Sequence, residues 1–526
     1  PKAWTTDPVL RRANLSAFGY DSTGRNLDYT VRRRYQEIEN FSQPHVELLN
    51  DVQLSDNITL KSSLFYYTGT GFFDFDGSWA DTTTLRLGAA FSGVRPTANP
   101  GNTIIRAFVG NRQGGWIPRF IINHDKGELT VGAEYREHRS EHWGKIRFAD
   151  NLPAGLDPDY KIYSYNGTRT ILSGFVREQY RASETLLLNA EAQLVHSRYG
   201  LMNERAGTTF TSYQSADGSR VGNGGTIFTV DYFFINPRLG AMYAADDANN
   251  LYTSIAYTSR EPRRNNLYAA SESYFGASPL FESDTTGGVI KYDFTRPLIK
   301  PEHLLNWEFG WTYKTPAIQL GATGYVMYFI NELVRSGRRD IFGAPIEGNA
   351  PRVIHTGIEL QGSGVLYSSG ATIFAVTANA TFSRNRIIEY QFQTSGSSLD
   401  LNGNPVAGFP DMMGKLRFSQ TSGTFQAGLA LRHVGRMYSD NFGSRIDEYV
   451  RQSPGFIGYR DNLVDAFTVA NADISYSIGS LLGIRSLRFR LVVNNLFNTL
   501  YVSGANGAEF FPAAERNWFS GLEVEL

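Results

Sequence analysis

The chain has 526 residues, 41% of them hydrophobic and 19% charged, with a formal net charge of −1. That apolar content excludes a disordered chain, and the near-zero charge removes the electrostatic basis for a nucleic-acid partner. Zero cysteine excludes disulfides, thiolate metal sites and cysteine nucleophiles, and no uninterrupted apolar run reaches the roughly 20 residues that a transmembrane helix needs.

In chain order, residues 1–43 read as a loop segment with no basic and apolar leader. Strand-like segments then come in pairs. Residues 45–52 and 58–67 flank a short turn, and a long Gly-, Asn- and aromatic-rich stretch, 68–115, follows. Residues 116–123 turn at Asp125-Lys126-Gly127 into 128–138, and a second long polar stretch runs to about Thr168. The rhythm repeats at 171–180 with 186–197, 232–245 with 251–259, 304–313 with 318–329, and 353–366 with 372–383. It closes with 412–419 and 425–434, 467–478 and 487–497, and a final strand to Leu526. About 17 strands are predicted, each near the length of a tilted membrane strand.

Within the strands, side chains alternate. Leu305, Trp307, Phe309 and Trp311 oppose Asn306, Glu308, Gly310 and Thr312. Leu487, Phe489, Leu491 and Val493 alternate with Arg488, Arg490, Val492 and Asn494. A two-residue period puts one set on each face. Burying Arg on a lipid face costs roughly 2–4 kcal/mol at mid-membrane, so Arg488 and Arg490 must face an aqueous interior. Aromatics at 13%, with 29 Tyr and 35 Phe, suit girdles at two membrane interfaces. Short turns at one end and long loops at the other complete the pattern of a transmembrane antiparallel β-barrel in a bacterial outer membrane. An even strand count is expected for that class, so 17 strands imply further strands before residue 1.

Several segments resemble TonB-dependent outer-membrane receptors, most closely the ferric-siderophore-like subgroup. Asn494-Asn495-Leu496-Phe497-Asn498-Thr499-Leu500-Tyr501 is similar to an N-L-F-N-x-x-Y box, and Pro512 through Asn517 to the closing P-x-x-x-R-N strand. Ser259-Arg260-Glu261-Pro262-Arg263-Arg264 resembles the R-E-P-x-R segment. Lys300-Pro301-Glu302 with Glu308 and Gly310, and Gly357-Ile358-Glu359-Leu360, resemble two further barrel motifs. The resemblance implies a barrel of the 22-stranded type around a plugged lumen, occupying 44–526, with the plug, the TonB box and the first strands not found in this chain.

It also implies TonB-dependent active uptake of a scarce ligand, most readily a ferric siderophore, with no enzymatic activity and no resident cofactor. Partners would be the TonB energy-transducing complex, outer-membrane lipid and lipopolysaccharide. A passive porin, or a receptor for cobalamin, haem or an oligosaccharide, is the alternative. Many ferric chelates are anionic, so basic and aromatic residues of the long loops are the candidate contacts: Phe72, Phe75, Trp79, Arg106, Arg112, Trp143, Arg260, Arg263, Tyr438 and Tyr459. Loop aromatics also commonly pack on one another, and Arg260 and Arg263 could pair with lumen acids or meet lipopolysaccharide phosphates. His138 and His142, four apart, are not read as a metal site.

Overall fold

The computed structural model describes residues 38–525, apart from 79, 206–212, 216–219, 222–224, 276, 286–289, 340–344, 395–396, 456 and 482–483. Trp79 and Leu526 therefore lie outside the described residues, as does most of the 1–43 segment. Its described part includes a strand, Glu39–Ser42, rather than loop alone.

One antiparallel sheet dominates the molecule. Its long strands are β1 (His45–Ser55), β2 (Ile58–Asp76), β3 (Gly101–His124), β4 (Gly127–Asp150), β5 (Tyr163–Arg181), β6 (Leu186–Met202), β7 (Thr226–Ala244), β8 (Asn249–Arg260), β9 (Glu302–Lys314), β10 (Ile318–Arg339), β11 (Pro345–Ser369), β12 (Thr372–Glu389), β13 (Met412–Ser422), β14 (Phe425–Val434), β15 (Phe467–Leu481), β16 (Ile484–Asn494) and β17 (Asn517–Glu525). Each pairs with the next in sequence, and Glu39–Ser42 adds to the top of β2. Among the described residues no ladder joins β1 to β17, and both strands are exposed along nearly their whole length.

The tight turns come where the sequence signals them. Gly370 and Gly423 open two of them at φ of 57° each, a conformation glycine adopts without a Cβ clash. Asp246 caps another, accepting the Ala248 and Asn249 amides at 2.8 Å.

The other end differs from expectation. Half of the stretch 68–115 is strand, because β2 continues to Asp76 and β3 begins at Gly101. β4 likewise runs on to Asp150, and β10 and β11 extend far beyond the predicted Phe329 and Val353. These arms are rich in Gly, Asn and Arg and lack the alternating apolar signal. Pairing with a neighbouring strand, not propensity, keeps them extended.

Register makes the faces explicit. Leu48, Leu64, Trp116, Tyr135 and Leu172 stand opposite one another across β1 to β5, and all are exposed. The row continues on β6 and β7 through His196 and Phe233. At the far end Ile478, Leu487 and Val524 share a row, as do Tyr476, Phe489 and Leu522. Leu305, Trp307 and Phe309 remain 45–53% exposed. So long a run of exposed large hydrophobics is uncommon on a water-facing sheet and matches a lipid-facing band. The opposite face carries Arg488 beside Gln426 (3.2 Å), Arg136 beside Glu134 (2.7 Å), and Arg417 beside Asp473 (2.8 Å). No helix among the described residues is long and apolar enough to cross a membrane.

The apolar cores lie away from that band, at the long-loop end. One gathers Leu85, Leu87, Ile105, Ile162, Tyr163, Phe228, Leu267, Tyr268 and Phe281. A second gathers Val353, Ile387, Leu399, Phe442, Ile446 and Tyr449. Buried hydrogen bonds tie the first together: Arg86 Nη1 donates to the Arg205 carbonyl (2.8 Å), Tyr160 Oη to the Arg86 carbonyl (2.8 Å), and Tyr268 Oη to Glu204 (3.2 Å). Burial brings the Arg86 guanidinium down to about 10, against the pull of Glu204.

Candidate functional site

Alternation along β4, β5 and β6 places three polar-face side chains in one register row. His138 stands opposite Arg169, and Arg169 opposite Tyr199. Nearer the loops, His142 stands opposite Tyr165 and stacks on it, ring centroids 4.8 Å apart. The segment after β8 then drops onto this wall from above. Glu261 accepts hydrogen bonds from Arg169 Nη2, from Ser197 Oγ (3.2 Å) and from Tyr199 Oη (3.2 Å). Arg264 opens the short helix Arg264–Leu267, lies 4.6 Å over the Tyr165 ring and donates to Tyr165 Oη at 3.3 Å. Gly167 makes room for it, since a Cβ there would lie 2.8 Å from Arg264 Nη1.

The electrostatics of this wall are cationic. Arg169 and Arg264 contribute two guanidinium charges, and Glu261 is the carboxylate bonded to Arg169. Arg264 Nη1 and Arg169 Nε are buried without a hydrogen-bond partner. Burial first, then the neighbouring Arg264 charge, pushes the His142 imidazole down to about 3. Burial, then Arg264 and Arg169, also lowers His138. Two arginines, the Arg169 side chain being 39% exposed, flanked by neutral imidazoles and tyrosine rings, form a surface suited to an oxyanion or an anionic aromatic chelate.

Another part of the polar face gathers carboxylates. A cavity of about 420 Å³ is lined by Glu308, Glu332, Glu359, Tyr325, Phe409 and His355, among others. His355 is buried between Asn385 Oδ1 (2.7 Å) and Glu332 (3.2 Å). The polar face thus separates a cationic-aromatic wall on β4–β6 from an acidic one on β8–β13.

The candidates read from sequence do not converge on one site. Phe72, Arg106, Arg112 and Trp143 are strand residues, not loop residues, and they share the register of Leu64, Trp116 and Tyr135. They therefore stand on the side of the lipid-type band, above it, rather than over the polar face. Phe72 packs on Phe108 (5.6 Å), and Phe108 on Trp143 (5.0 Å). Arg106 binds Asp74 through two nitrogens at 2.7 and 2.9 Å. Phe75 packs against the first loop core. Arg260 ends β8 and pairs with Glu302 at 3.1 Å, as the ion-pair alternative anticipated. Arg263 is the exposed N-cap residue of the short helix. Tyr438 joins a two-residue ladder with Leu463, and Tyr459 donates to the buried Asp440 at 2.9 Å.

The wall residues Arg169, Tyr165 and Tyr199 escaped the sequence reading. Their signal was the same two-residue period, carried beyond the apolar part of each strand.

A long meander of this kind, with a lipid-type band on one face, charges on the other, tight turns at one end and packed loops at the other, has the architecture of a membrane β-barrel protein. The chain belongs to the TonB-dependent receptor-like β-barrel family, whose model matches residues 3–496.

Solved structures agree in fold. The ferric yersiniabactin uptake receptor FyuA from Yersinia pestis aligns with 92% of this chain and 60% of its own, at 14% identity and a TM-score of 0.59. The ferric-catecholate import receptor Fiu from E. coli K12, in its closed form, aligns with 92% and 64% respectively, at 16% identity and a TM-score of 0.60. The copper transporter OprC aligns with 92% and 65%, at 15% identity and a TM-score of 0.61. The chain thus spans less than two thirds of the length of these relatives. A search of curated proteins returns no significant match.

Proposed function

We propose that this chain forms the larger part of a 22-stranded barrel in the outer membrane of a Gram-negative bacterium, and that the receptor it belongs to takes up a scarce ligand at the expense of TonB-delivered energy. The ligand class we favour is an anionic metal chelate of the ferric-siderophore kind. The observation that carries this choice is the wall of Arg169 over Tyr199 and Arg264 over Tyr165, with a single carboxylate bonded among them. An anionic chelate presents oxygens to the guanidinium donors and flat rings to the tyrosines. On this reading the protein is a transporter, not a catalyst.

The test is uptake by cells carrying the full-length gene, using radiolabelled ferric siderophores of the catecholate, hydroxamate and carboxylate classes. Accumulation of one class that disappears when TonB is deleted is the expected result. Accumulation that persists without TonB would establish a passive pore instead. Uptake restricted to cobalamin, haem or a free metal salt would overturn the chelate assignment and leave the transport class intact.

A further inference from the structure

The carboxylate-lined cavity spans three register rows of the polar face. Met327 stands opposite His355, Tyr325 opposite both Glu308 and Gly357, and Thr323 opposite Glu359. The Tyr325 side chain reaches across Gly357, where a Cβ would lie 2.5 Å from its hydroxyl. Its ring is therefore laid along the wall between the strands that carry Glu308 and Glu359. Phe329 and Phe409 add two further rings, and Met327 and Met413 add two thioethers.

Phe329 and Glu332 both line the cavity, although strict alternation over three positions would send them to opposite faces. Asn331 lies between them at a φ of 55° and breaks the alternation, which turns Glu332 inward. Glu332 is only 7% exposed. Its bonded partner is His355, whose Nε2 lies 3.2 Å from each carboxylate oxygen. The other ring nitrogen is committed elsewhere. Ser383 Oγ donates to the Pro410 carbonyl (3.0 Å), so it accepts from Asn385 Nδ2 (3.0 Å). That orientation leaves Asn385 Oδ1 to accept from His355 Nδ1 at 2.7 Å. At most one imidazole N–H thus serves a buried carboxylate with room for about four donors.

A buried carboxylate so sparsely served is costly to hold. Neighbouring Glu302 shows the contrast, since it accepts from Arg260 (3.1 Å) and from the Leu333 amide (2.8 Å). Glu308 accepts only from the Asn306 amide at 2.8 Å, and Glu359 has no hydrogen-bond or ion-pair partner among the described residues. Three carboxylates therefore face the cavity without a lysine or arginine among the residues lining it.

The lining complements a cation on an apolar body. A hard metal ion takes oxygen ligands on every side, which rings and thioethers do not supply. An ammonium brings three donors for the carboxylates, and tyrosine and phenylalanine faces attract its charge. A methylene chain packs on Phe329, Phe409 and the two methionines. We propose that this cavity is a binding site for an organic ammonium cation of the aliphatic amine class, held by Glu332 and Glu359 with its chain against Tyr325 and Phe409. Its charge preference is opposite to that of the arginine wall, and it stands independently of the chelate reading.

The experiment is calorimetric titration of the full-length receptor, in non-ionic detergent, with the aliphatic diamine cadaverine. Glutarate, a chain of similar length with the opposite charge, and potassium chloride are titrated in parallel. Saturable binding is expected for the diamine alone. Glu332→Gln and Glu359→Gln should each weaken it about tenfold or more, the size expected for losing a charge-assisted hydrogen bond. Phe409→Ala should weaken it several-fold. Glu523→Gln, which removes a carboxylate of the same face on β17, should leave it unchanged. A gel-mobility shift on heating verifies folding. Glu359 and Phe409 are exposed, so their variants decide the matter even where Glu332→Gln does not fold.

Parental affinity in both Glu359→Gln and Phe409→Ala overturns the proposal. So does equal binding of potassium or glutarate, or no saturable binding of the diamine. TonB-dependent chelate uptake is read in a separate assay, and its failure would leave a positive titration standing.

Discussion

Glu261, the first residue after β8, accepts the guanidinium of Arg169 from the middle of β5, 92 positions earlier in the chain. The contact pins the segment carrying Arg264 onto the polar face of the sheet. The Ser197 and Tyr199 hydroxyls also end on that carboxylate. One acid thus neutralises one wall arginine and fixes the approach of the other.

Replacing Glu261 by Ala leaves two hydroxyls and a guanidinium without their acceptor in a half-buried setting. The expected cost is about 1–3 kcal/mol, seen as a lower unfolding temperature in detergent. Glu261→Gln should recover part of it, because the amide oxygen still accepts. Equal stability of the Ala variant and the parent would show that the pair does not anchor the segment.

Arg264→Ala should weaken binding of the transported chelate by tenfold or more, the scale of about 1.5–3 kcal/mol for a charge-assisted hydrogen bond. Arg264→Lys should rescue less than half of that loss in free energy, since a lysine cannot both stack on Tyr165 and present a fork. Arg260→Ala is the contrasting change: its Glu302 pair is structural, so affinity should stay within about twofold while stability falls. Titration of immobilised receptor with labelled chelate separates the two.

His142 sets a pH dependence. In the unfolded chain its imidazole takes up a proton near 6.5, whereas burial holds the folded one down to about 3. Between those values the unfolded state binds the extra proton, so stability falls as pH falls through that window. The arm of β4 and β5 above the band should therefore show lower amide protection at pH 4.5 than at pH 7, once each exchange rate is divided by the intrinsic rate at that pH. His142→Phe, which keeps a ring against Tyr165, should remove most of the difference. An unaltered pH profile in that variant would assign the effect to another group.

Leu320 and Thr323 test the faces. Leu320 is 43% exposed in the apolar band, whereas Thr323 meets Tyr252 Oη on the polar side at 2.5 Å. Leu320→Arg, close to the tight-turn end of β10, should lower barrel stability by about 1 kcal/mol and reduce the heat-modifiable folded band on gels. Thr323→Arg should be milder. Equal losses would mean that the two faces meet the same solvent.

Much of this protein was legible before any coordinates. The turns at Asp125-Lys126, Asp246–Asn249 and Gly370 were marked by their own residues, and Leu305 to Trp311 announced a face by strict alternation. The loop end was not legible in the same way. Phe72, Arg106 and Trp143 occupy segments whose Gly, Asn and Arg content suits loops, and only the neighbouring strands hold them extended.

Local side-chain alternation and turn chemistry determined the run of long strands and the lipid-type face, because both act over a few adjacent residues, whereas the family resemblance rested on short motifs such as Asn494 to Tyr501. Which side of the wall Arg112 and Trp143 stand on, and that Arg264 meets Tyr165 across 99 positions, was decided by tertiary structure. Unbroken pairing register carries a face beyond the segment that first shows it. A contact between distant segments depends on where the loop core seats them, which no local spacing encodes.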